Sequence, residues 1–215
     1  AGAQDPEFTQ FYANPVYLNP AMAGSNGCSR LIMNHRNQWP SISGAFVTNT
    51  VSYDRYVNVL HGGVALSVMN DMAGQNTINW NTINLTYSYH LRLGRTYSLL
   101  VGAKATWNQK FLNWNKLSFG DQIDPYRGFV FRSGDQPSGR LLNGKWATKG
   151  FFDVSAGLVF FSEHFYAGFA AHHLNTPNQS LIMRDSELPM RFTGHMGAKI
   201  DFGQRSQYEN KASIS

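Results

Sequence analysis

From residue 29 onward, apolar and polar side chains alternate along the chain. In the stretch 190–202, Met190, Phe192, Gly194, Met196, Ala198, Ile200 and Phe202 form one row, against Arg191, Thr193, His195, Gly197, Lys199 and Asp201. Tyr97, Leu99, Val101, Ala103, Ala105 and Trp107 oppose Ser98, Gly102, Lys104, Thr106 and Asn108, with Leu100 as the exception. Phe152, Val154, Ala156, Leu158 and Phe160 oppose Asp153, Ser155 and Gly157, and Ile83, Leu85, Tyr87, Tyr89 and Leu91 oppose Asn84, Thr86, Ser88 and His90. A period of two puts successive side chains on opposite faces of a strand. The pattern predicts strands near 29–38, 46–56, 61–70, 78–91, 96–109, 151–162, 165–173 and 190–202.

Alternation alone suits a soluble sandwich with one wet face as well. Three features favour a membrane barrel. The apolar rows begin or end in aromatics, such as Tyr97 and Trp107 or Phe152 and Phe160, as in the girdles at lipid interfaces. The opposite rows are small and polar, which suits a crowded or wet lumen. Strands of ~10 residues match a tilted membrane crossing.

The connections also sort themselves: tight after the second, fourth and sixth strands, longer after the first, third, fifth and seventh. Bacterial outer-membrane barrels pair brief periplasmic turns with extended outer loops in this way. The fold expected is therefore all-β, a transmembrane antiparallel up-and-down β-barrel of the outer-membrane type. Residues 29–215 supply its strands, with long extracellular loops at 111–150 and 174–189, and the N-terminus is periplasmic. After Phe202 a turn leads to "KASIS", which resumes strand-like chemistry. An open edge is not tolerated in lipid, so the chain is expected to be truncated relative to the full barrel.

Composition agrees. Hydrophobic residues make up 42% and charged residues only 14%, against about 25% charged in soluble chains. No run of ~18 uncharged apolar residues offers a transmembrane helix. The net charge of +5 is spread thinly, without the basic cluster that tracks phosphates, so nucleic acid is not an expected partner. Cys28 is the one cysteine and has no internal partner. The opening "AGAQ" has the form of a signal-peptidase site, with the leader removed and Gln4 as the mature start.

Residues 1–28 read as a separate N-terminal periplasmic, plug-like segment. Its stretch "QDPEFTQFYANPVYLNPAMAG" is too Pro-broken for a helix and not alternating enough for a strand. It is also too aromatic to lie loose in water. Phe8, Phe11, Tyr12 and Tyr17 are expected to pack against small lumen-facing residues as a plug, or against a periplasmic partner. The steps Asn14-Pro15 and Asn19-Pro20 fix the path at reduced entropic cost. In the longest loop, Trp114, Phe119, Tyr126, Phe129 and Phe131 give an aromatic content that points to a protein partner or a cap over the mouth.

Catalytic chemistry has little support. His90 and His195 fall on polar rows, where a hydrogen-bonded lumen histidine is the ordinary reading. His172 and His173 are adjacent in a strand and so are expected on opposite faces, unable to share a metal. Asp121, Asp124 and Asp135 fit no calcium-loop spacing, and no nucleophile elbow, phosphate loop or zinc-type His pair is present. No cofactor is expected.

"FTQFYANPVYLNPAMAG", followed by "RLIMNHRNQWP", resembles the start of the PorP/SprF family of outer-membrane proteins. "LTYSYHLRL" and "GLVFFSEHFYAGFAAHHLNTPNQS" are similar to that family's middle strands. The resemblance runs over most of the chain. It implies a non-enzymatic role in the type IX secretion and gliding machinery, and members longer than this chain. The partners it implies are outer-membrane lipid, a secreted surface adhesin or its C-terminal signal domain, and periplasmic ring components. A passive porin and a lumen-active enzyme are the alternative functions.

Overall fold

In the computed structural model the described residues are 14–41, 44–74, 77–94, 96–113, 123–124, 126, 128–129, 140–142, 146–178 and 187–198. The main sheet is built from β1 (Arg30–Gln38), β2 (Phe46–Val57), β3 (Gly62–Ala73), β4 (Ile78–Leu93) and β5 (Tyr97–Asn113), then β9 (Trp146–Phe161), β10 (Phe165–His172) and β11 (Arg191–Ala198). Between β5 and β9 lie three short strands. β6 (Ile123–Asp124) and β7 (Gly128–Phe129) pair with each other, and β8 (Arg140–Leu142) pairs with the start of β9. Every neighbouring pair is antiparallel, and the long strands follow one another in chain order.

The sheet is inside out compared with a soluble protein. Its outward row is apolar: Met33 is 70% exposed and Leu85 61%, with Val68, Trp107, Phe152 and Phe192 in the same state. Its inward row is polar and buried: Thr48, Ser52, Thr82, Thr86, Ser88, Thr106 and Ser155. Several of these groups bond one another across strands, whereas Ser52 Oγ and Ser155 Oγ have no partner among the described residues. The hydroxyl of Thr106 donates to Asn84 at 2.7 Å, Asn84 Nδ2 to Ser67 at 3.0 Å, and Thr82 and Trp80 both to Asn108. Buried polar groups are tolerated on those terms.

The closed transmembrane barrel expected from the sequence is not what forms. Among the described residues β1 and β11 each keep one unpaired edge, and the antiparallel sheet is an open, curled half-barrel with its edges 20 Å apart. Closure would need those edges at one inter-strand spacing, ~4.8 Å. Strand twist curls the sheet, but the curl of these eight long strands leaves about four such spacings open.

Two expectations about connections also change. β5 and β9 run further than the alternation suggests, pairing Phe111 with Thr148 and Asn113 with Trp146, so the ends of the expected loop 111–150 are sheet. β3 continues to Ala73, paired with Ile78. The third connection is therefore 74–77, no longer than the second at 58–61. It turns tightly because Gly74 adopts φ 63° and the Thr77 amide bonds back to Ala73 and Gly74. The strict alternation of short and long connections fails there.

β10 stops at His172 because His173 takes a left-handed φ of 59°. The chain beyond it lies along β9. Leu174 N donates to Val154 O at 2.9 Å, Asn175 Nδ2 donates to Phe152 O at 2.7 Å, and Val154 N donates to Asn175 Oδ1 at 3.2 Å. One carboxamide thus replaces a missing strand residue. Asn175→Ala orphans both groups and is expected to cost about 1–2 kcal/mol, read as a lowered thermal midpoint in detergent. Asn175→Asp, which keeps the acceptor, should lose less.

Candidate functional site

Among the described residues, Asn19–Gly24 ahead of β1 form a run in which every position but Met22 is buried. Each Asn-Pro step starts a short helical turn: α1 (Pro15–Leu18) after Asn14, and a 3-10 turn, Pro20–Met22, after Asn19. Proline at the first helical position costs nothing, since its missing N–H would have had no partner. The two prolines therefore open helical turns here, where the sequence had suggested neither helix nor strand. The Asn19 side chain caps the second turn by accepting from Ala21 N at 2.9 Å.

The segment crosses the concave face at right angles to the strands, over a belt of registered positions. Gly63 faces Ser88 across β3–β4, Ser88 faces Gly102 across β4–β5, Gly102 faces Gly157 across β5–β9, and Gly157 faces Ala170 across β9–β10. A Cβ on Gly102 would overlap the backbone of Pro20 and Ala21. One on Gly63 would meet Ala23 and Gly24, and one on Gly157 would meet the Asn19 carboxamide. Three glycines from three strands thus leave room for one passing backbone. The buried apolar clusters among the described residues form around the same segment: Val16, Ala23 and Ala65 in one, Ala21, Leu100 and Val159 in the other.

Polar side chains from the wall then hold its main chain. Ser88 Oγ donates to Ala21 O at 2.6 Å. His90 Nε2 lies 3.1 Å from Ala23 O, which can only accept, so the proton sits on Nε2. Asn19 Nδ2 donates to Leu158 O at 3.1 Å and to Phe169 O at 3.2 Å, and is 3.1 Å from His195 Nε2. Asp54, 1% exposed, takes Gly24 N at 2.9 Å on Oδ2. The same carboxylate takes the Arg30 guanidinium through two bonds, at 2.8 and 2.9 Å. It therefore joins the end of the segment to the first residue of β1.

Two cavities flank the segment. The larger, about 1130 Å³, lies between Pro15, Tyr17, Leu18 and Met22 on one side and Phe161, Tyr166 and β11 on the other. The smaller, about 400 Å³, lies beyond Gly24 and is lined by Tyr56, His90, Arg92 and Ser98.

Of the residues singled out from the sequence, Asn14, Asn19 and Pro20 are buried in this segment, while Pro15 and Tyr17 border the larger cavity. Phe8, Phe11 and Tyr12 lie outside the described residues, as do Trp114, Phe119 and Phe131 and the side chain of Phe129. Tyr126 is 97% exposed. His90 and His195 are on the concave face, where the alternation put them. His172 and His173 are not on opposite faces: the turn at His173 brings both into buried positions, their rings 6.4 Å apart. His173 Nδ1 reaches Asp153 at 2.9 Å. Among the described residues no group of three or more His, Cys, Asp or Glu could hold a metal ion. Asp54, Ser88 and the glycine belt were not anticipated as contacts. Leu100, the exception in its row, was the available sign that something apolar covers the polar face.

No curated protein and no solved structure matches the chain. The family model described as type IX secretion system membrane protein PorP/SprF matches residues 1–214. Nearly the whole sequence is covered, and the chain belongs to the PorP/SprF family of type IX secretion system membrane proteins.

Proposed function

We propose that this protein serves the type IX secretion and gliding machinery as a plugged outer-membrane component that engages secreted cargo. The observation that carries the reading is an apolar convex face combined with a polar interior already occupied by residues 14–24. The convex face meets outer-membrane lipid. The N-terminal segment enters from the periplasmic side, lies across the polar concave face and offers its upstream aromatics, Phe8, Phe11 and Tyr12, to the machinery. Periplasmic ring components are the partners on that side. The long connection between β5 and β9, with Trp114, Phe119, Tyr126, Phe129 and Phe131, contacts the cargo outside, a surface adhesin or its C-terminal signal domain.

A strain lacking the protein is expected to lose surface display of such adhesins while the adhesins accumulate inside. Affinity purification from detergent-solubilised outer membrane should recover an adhesin or ring components. Steady open-channel conductance in planar bilayers, together with normal adhesin display in the deletion strain, would identify a passive porin and overturn the proposal.

A further inference from the structure

The contacts that hold residues 19–24 have an unusual bias. Ser88 and His90 bind carbonyl oxygens, Asp54 binds an amide, and the glycines Gly63, Gly102 and Gly157 make room for backbone. Among the described residues 19–24 only Asn19 has its side chain hydrogen-bonded by the wall, to Leu158 O, Phe169 O and His195, while Ala21 and Ala23 pack against small apolar patches. A groove that reads main-chain atoms accepts any chain whose side chains are small enough, much as an exposed sheet edge does. Room for a bulkier occupant lies beside it, in the 1130 Å³ cavity that runs along residues 15–26 and in the 400 Å³ cavity beyond Gly24.

The chain leaves the groove through a glycine turn. Gly24 and Gly27 sit at φ 65° and 71°, and a Cβ on Gly27 would meet nothing within 4 Å. The turn between them and β1 has its own bonds, Ser25 N to Met22 O, Gly27 N to Gly24 O and Tyr53 Oη to Ser29 Oγ, and the Asp54 carboxylate ties its two ends together through Gly24 and Arg30.

We propose that this groove is a peptide-binding site, filled in cis by residues 19–24, and that a short turn of small residues behind an asparagine, from a second polypeptide, takes the same place when the Asp54 latch opens. This deepens the plug reading above by naming what replaces the plug. Its test needs neither export nor an identified cargo, so the two can fail separately.

The test uses the full chain in detergent, with a protease site inserted between Gly27 and Cys28. After cleavage, a fluorescein-labelled peptide spanning Asn14–Gly27 is added and its anisotropy followed. The expected result is saturable exchange, retained by a peptide carrying Ala21→Ser and Met22→Leu. The Asn19→Ala peptide should bind about tenfold more weakly, the worth of one or two buried hydrogen bonds. The Ala21→Leu peptide should not bind, because Gly102 leaves no room for it. Where the cleaved protein loses its strand signal, the uncut Asp54→Asn variant replaces it, with peptide binding expected above that of the unaltered chain. A fragment that never exchanges, a groove that takes only its own sequence, or no binding to either uncut protein overturns the proposal.

Discussion

Gly102→Val lowers the thermal midpoint of the detergent-solubilised protein by about 10–20 °C and exposes residues 14–27 to protease. The new side chain overlaps the backbone of Pro20 and Ala21, and backbone, unlike the end of a flexible side chain, cannot swing aside. Overpacking alone costs about 1–3 kcal/mol. Here the segment must also give up the bond from Ser88 and those made by Asn19, at about 1 kcal/mol each. The sum is on the order of 5 kcal/mol, and for a chain this long each kcal/mol moves the midpoint by about 2–4 °C. Gly194→Ala is the control, since a Cβ there meets nothing within 4 Å. It should stay within about 0.5 kcal/mol of the unaltered protein. Equal midpoints for Gly102→Val and the control would mean that the belt does not hold the segment.

Asp54→Ala is the second large effect, expected at about 3–4 kcal/mol, or about 6–15 °C in midpoint. Removing one partner of a buried ion pair leaves the other charged and dry, which costs about 3–5 kcal/mol. Arg30 is 19% exposed against 1% for Asp54, so water recovers part of that and the lower end applies. The orphaned Gly24 amide adds about 1 kcal/mol. Asp54→Asn should cost less, because a carboxamide oxygen can still accept from Gly24. The double variant Asp54→Ala with Arg30→Ala should be more stable than the sum of the two single losses, since no unpaired charge is left. Strict additivity would sink the latch.

The faces of the strands were legible because a period of two states them directly. Leu85 and Trp107 point outward and Thr86 and Thr106 inward, as their rows require. Strand ends were less legible. Residues 109–113 and 146–150 lack a clean alternation, and only their pairing with each other makes them sheet. Whether the last strand meets the first was not legible at all. Alternation fixes which side a residue faces, whereas closure depends on curl summed over the whole sheet.

The segment was half legible. The aromatics of residues 4–24 pointed to a segment that needs a cover, and residues 14–24 are the part of it whose cover is seen. The cover itself is a belt of small residues that exists only once the strands are in register: Gly63, Ser88, Gly102, Gly157 and Ala170 are scattered in sequence and adjacent in space. His173 was misjudged because one left-handed residue cancels the strand rule that separates neighbouring side chains.

The belt has a consequence for the order of assembly. Asn19 bonds a carbonyl 150 residues further along the chain, and its seat does not exist until β9 and β10 have aligned with β5. Contacts so distant in sequence form slowly. The segment ahead of β1 therefore settles after the strands that follow it, and until it does the half-built protein carries an uncovered trough along its inner wall.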